Sequence, residues 1–282
     1  MGMVGRELLS MGDGWCNGHL LAMQPAAPGV KEPVRGQRES EKPPAKDLSL
    51  TMDEYVALGV PSATKLWNGD DYLKAVRVLK SLAATTPEKL PRYQSERSGE
   101  LFSRMTSTKN LEQFRDRQVA LQERFPQMLG YYDAINQILK VYLTAFQAER
   151  VSDSDLLGLM GNMMHASVVM LDVVDEFLPT LDKNDPKYEV RMRGLNQMKN
   201  GMAQVVTGGL LTLTERSFYR TSELRRLIGV FQETMPLIVS RLTPQSQADV
   251  LMRLEKMQAD TTLTDLQPDL RKLQEKISRI KD

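Results

Sequence analysis

The segment from Ser152 to Leu181, SDSDLLGLMGNMMHASVVMLDVVDEFLPTL, leaves the fold of this chain little freedom. Leu156, Met160, Met163, Ser167, Met170, Val174, Phe177 and Leu181 follow one another at spacings of 4 and 3, which places them in one seam of an α-helix. Leu157, Met164, Val168, Leu171 and Leu178 form a second row beside it. The apolar surface thus covers more than half the circumference, and a helix of that kind is buried among several neighbours. Its polar remainder is a narrow strip of Gly158, Asn162, His165, Asp172 and Glu176. Ser152 or Asp153 is placed to cap the start, and Asp155 lies in the first turn, where a carboxylate complements the helix dipole. The uncharged run from Leu156 to Leu171 contains Asn162 and His165 and is shorter than the about 20 apolar residues of a membrane span, so no transmembrane segment is expected.

The same 4–3 rhythm recurs on either side. Leu121, Phe125, Met128, Tyr132, Ile135, Leu139, Tyr142 and Phe146 predict a helix from about Asn110 to Arg150, bent near Pro126. Asn184-Asp185-Pro186 signals the start of another, reaching about Glu215. Within it Gly194, Gly201 and Gly208 recur every seven residues, and Gly158 and Gly161 of the central helix are expected to meet that seam. Leu224, Ile228, Phe231, Met235, Ile238 and Leu242 mark a helix opening at Ser222. Thr243-Pro244 and Thr264-Asp265 open two shorter ones, the last amphipathic enough to lie in a partner's groove. No strand pattern appears. The expected fold is therefore all-α: a mainly antiparallel bundle of four long helices plus two shorter C-terminal helices.

Residues 49–107 read as a small helical lead-in to a bundle domain over 108–282. Asn68 or Asp70 caps its main helix, with Trp67 and Tyr72 stapling the start to the bundle. Residues 1–48 read as a disordered tail, because Pro25, Pro28, Pro33, Pro43 and Pro44 stand among mixed charges with no aromatic residue after Gln24. Met1 to Trp15 lacks the apolar run of a secretory signal, so the sequence as written reads as cytoplasmic. A mis-assigned start, or lipidation of Cys16, would move it to the cell envelope as a tethered lipoprotein.

Composition excludes several chemistries. A net charge of +1 over 282 residues argues against a nucleic-acid partner. The single cysteine, Cys16, rules out an intramolecular disulfide and a cysteine-based zinc site. His19 and His165 are the only histidines, too few for the paired Glu-x-x-His motifs of di-iron bundles. Neither a nucleophile elbow nor a phosphate-binding glycine loop is present. No metal or cofactor is expected.

Two constellations remain. Asn162, His165, Asp172 and Glu176 share one strip and are candidates for a small polar cavity that binds a ligand or senses pH. His165 and Asp172, seven residues apart, stand about 10.5 Å apart along the axis, too far for a direct dyad. Arg216, Arg220, Arg225 and Arg226 cluster with Phe218 and Tyr219 around one turn and are candidates for a partner or anion contact. These features point to a non-enzymatic interaction or scaffold protein that docks an unknown protein partner. The alternatives are a ligand-sensing bundle with its cavity near His165, and an enzyme using Asp172 with Glu176 or Asp175.

Overall fold

In the computed structural model of the protein, the described residues are 47–214 and 219–279. The expectations placed on the N-terminal tail, Cys16, His19, Glu215, Arg216 and Phe218 lie outside them. Every regular element among the described residues is helical. A lead-in consists of α1 (Met52–Ala57), α2 (Gly69–Thr85), α3 (Gly99–Met105) and α4 (Lys109–Glu112). The long helices are α5 (Leu121–Gln147), α6 (Asp153–Phe177), α7 (Tyr188–Thr212) and α8 (Thr221–Val239), followed by α9 (Pro244–Ala259) and α10 (Gln267–Ser278).

Helix α6 sits at the centre. It packs extensively against α5 on one side and α8 on another, and lightly against α7. Next to these, α2 covers α5, α10 covers α8, and α9 bridges α7 to α10. Leu156, Met160, Met163, Ser167, Met170 and Val174 are all buried, as the 4–3 seam requires. By length and composition the stretch Asp153–Thr180 could cross a membrane, yet 83% of its apolar 18-residue window is buried inside the fold. Its apolar surface is used to pack neighbouring helices.

Local signals fix the helix starts. Asn68 and Ser152 each form a capping box with the Asp three residues on, Asp71 and Asp155, and Thr243 accepts from the Ser246 amide. Two helix ends use the same left-handed turn with different residues. After α1, Gly59 has φ 98°, and Val60 N–H bonds Tyr55 C=O at 3.0 Å. After α5, Glu149 takes φ 56°, and Arg150 N–H bonds Ala145 C=O at 2.8 Å. The reversal at Glu149 returns the chain along α5 as α6.

Several expectations are corrected. The helix read as continuous from Asn110 is interrupted over residues 113–120. Long-range bonds hold that interruption: the Gln113 side-chain amide donates to the carbonyls of Trp67 and Asn110 at 2.6 Å each. Asp185 does not start α7 but caps a preceding turn, accepting from Lys187 N–H and the Arg191 guanidinium. Gly158 and Gly161 do not face α7; a methyl group at either would meet Phe102 and Val230 respectively. On α7, Gly209 stands at a tight crossing, where a methyl would lie 2.8 Å from the Phe231 ring. The apolar face of α10 is not free for a partner, since Leu270 and Leu273 are fully buried against this chain.

A charged groove at the end of the central helix

Helix α6 ends at Phe177 with no basic residue in its last turn. Asp172, Asp175 and Glu176 nevertheless crowd its last two turns. The negative end of the helix dipole opposes them, at about 0.3–1 kcal/mol per exposed charge. Compensation comes from cations on other segments. Just past α8, Arg241 reaches Asp172 at 2.9 Å and Asp175 at 3.0 Å. From the first turns of α5, Arg124 reaches Glu176 at 2.6 Å. The 113–120 turn contributes Arg115 to Asp172 at 3.4 Å and Arg117 to Glu176 at 3.3 Å.

These cations are not equivalent. The Arg124 side chain is 5% exposed and uses all of its guanidinium: Nε donates to Val119 C=O, Nη1 to Phe114 C=O and Nη2 to Glu176. It therefore holds the turn and neutralises the acid at once. That bond, ahead of the opposing effect of burial, keeps the Glu176 carboxyl below its ordinary range, with Arg117 adding to it. By contrast Arg115 and Arg117 are 52% and 82% exposed and duplicate pairings that closer cations already make. Arg115, Arg117 and Arg241 line an open groove of about 570 Å³ with the three acids, Phe114 and Val173, and Arg124 lies behind it.

Arg115 also borders a second cleft of about 230 Å³, whose walls include Leu111, His165, Val168, Glu233 and Leu237. Burial pushes the His165 imidazole below its ordinary value of 6.5; the Glu233 charge works the other way, and Arg115 reinforces the depression.

The four candidate residues of the polar strip are thus distributed over three settings. Asp172 and Glu176 line the groove, and His165 lines the neighbouring cleft. Asn162 joins neither: it is buried, its side-chain amide donates to the Tyr131 hydroxyl at 3.2 Å, and burial pushes that phenol up to about 12. The second constellation does not converge within the described residues. Arg220 is bound to Asp153 and Ser154, Arg225 to the Asp265 carbonyl, and Arg226 lies 5.1 Å over the Tyr93 ring. Tyr219 stacks on Phe146 at 5.2 Å. Trp67 and Tyr72 are fully buried in an edge-to-face pair. Among the described residues no group of three His, Cys, Asp or Glu side chains is placed to hold a metal ion.

Sequence reasoning passed over Arg115, Arg117, Arg124 and Arg241. A signal for them existed: three acids at the wrong end of a helix with no local cation require positive charge from elsewhere. Comparison with family models, curated proteins and solved structures returns no match.

Proposed function

We propose that this chain is a non-enzymatic interaction protein that docks a protein partner at the groove formed by the end of α6, the 113–120 turn and Arg241. One observation carries the reading. Three carboxylates stand against the dipole of their own helix and are countered by four guanidinium groups from three other places in the chain. Stability alone does not favour such an arrangement, because exposed ion pairs contribute only about 0–1 kcal/mol. An open surface holding fixed charges of both signs suits recognition of a complementary surface, for which charges set register and encounter rate.

Photo-crosslinking tests the reading. A photoreactive residue replaces Gln118, exposed on the 113–120 turn, in one version of the full chain and Asn196, exposed on α7, in another. Both are irradiated in the cells of origin. A discrete adduct from position 118, competed by unmodified protein and absent from position 196, is expected. Equal labelling from both positions, or none from 118, would overturn it.

A second reading, sensing of a small ligand, is favoured by the position of His165 on the wall of the smaller cleft. A ligand found by thermal melts whose shift survives His165→Ala would sink it.

A further inference from the structure

We infer that the element received by this groove is acidic: a peptide segment presenting carboxylates to Arg115 and Arg117, with an adjoining apolar side chain over the neighbouring cleft. The inference rests on the docking reading above and gives its partner a polarity.

Three observations fix the sign. First, the pairings of Arg115 and Arg117 are duplicates: Arg241 holds Asp172 and Asp175, and Arg124 holds Glu176, at shorter distances. Second, the two most exposed charges of the cluster are cations. Arg117 and Arg115 are 82% and 52% exposed, against 43% for Asp175, 31% for Asp172 and 26% for Glu176, and each acid already has a closer cation. An approaching segment therefore meets guanidinium groups first, and an entering carboxylate engages them without stripping Asp172 of Arg241 or Glu176 of Arg124. Third, a buried donor of the cluster is left over: Arg241 Nη1 has no acceptor. Guanidinium groups two residues apart on one turn also suit the planar, two-pronged recognition of a carboxylate.

The apolar component follows from the shared residue. Arg115 separates the groove from the cleft beyond it, where Leu111, Val168 and the half-exposed Leu237 offer an apolar wall. A segment anchored at Arg115 through an acid has its next side chain within reach of that wall.

Fluorescence anisotropy on the full chain tests this with three labelled eight-residue peptides, alternating Glu with Leu, Gln with Leu and Lys with Leu. The Glu peptide should bind at least about tenfold more tightly than the Gln peptide, the effect of roughly one charge-assisted hydrogen bond. Arg115→Gln with Arg117→Gln should abolish that preference, while Arg225→Gln with Arg226→Gln, which removes the same charge elsewhere, should leave it. The inference is overturned if the Gln peptide binds equally, if neither peptide binds, or if both double variants weaken the Glu peptide alike. Preference for the Lys peptide, lost in Asp172→Asn with Asp175→Asn, would overturn the polarity while leaving the docking site in place. Absence of a position-118 crosslink would remove the docking reading itself.

Discussion

The two ends of helix α6 use carboxylates in opposite ways. At the N-terminus, Asp153 and Asp155 stand where the helix dipole favours them, and both are buried. Each is assigned to one structural task. Asp155 accepts from Arg92 Nε at 2.7 Å, Tyr93 N–H at 2.6 Å and Ser152 N–H at 2.8 Å, tying the lead-in to the bundle. Asp153 accepts from Arg220 through backbone and side chain, tying in the start of α8. At the C-terminus the acids oppose the dipole, remain partly open to solvent and share cations. The first arrangement is that of a fastener. The second is an open cluster of charges of both signs.

The largest test of that contrast is Asp155→Ala. It leaves Arg92 and the Tyr93 amide without their acceptor, and equilibrium denaturation should show a loss of about 3 kcal/mol or more. Asp153→Ala is expected to cost about 1–2 kcal/mol by the same measurement, because the Arg220 guanidinium it releases can turn to water. At the other end, Asp172→Asn with Asp175→Asn should change stability by less than about 1 kcal/mol, since relief from the dipole offsets the lost pairs. A loss there as large as that of Asp155→Ala would erase the distinction between the ends.

The smallest effect lies between them, at His165. Folding depresses its pKa, so below its ordinary value of 6.5 the unfolded chain binds more protons than the folded one. Its contribution therefore costs nothing above that pH and destabilises as pH falls from there towards the folded value. Denaturation of the wild type and His165→Gln at about pH 7.5 and about pH 5 should show the wild type losing more stability at the lower pH. Parallel losses would mean that the imidazole is as free in the fold as out of it.

Much of this architecture was legible because it is written in local code. The 4–3 seam of Leu156 to Val174 and the caps at Asn68, Ser152 and Thr243 need only neighbouring residues to act. The 113–120 interruption was not legible, since the groups that satisfy its backbone come from Arg124 and those that fix its start involve Trp67. Nor were the glycine contacts: spacing shows which side of a helix Gly158 occupies but not that Phe102 lies opposite. For the groove, the strip on α6 revealed two of its acids, Asp172 and Glu176. Its arginines come from residues 115, 117, 124 and 241, and only tertiary structure assembles them.

Arg124 has a consequence for how anything is received at the groove. The same guanidinium that neutralises Glu176 also grips two carbonyls of the turn carrying Arg115 and Arg117. Floor and lip are therefore set by one buried hinge pin, in place before any encounter. The entropy of ordering that lip is spent during folding, so a partner docking as proposed would meet a preformed surface, with little backbone rearrangement and a small ordering penalty.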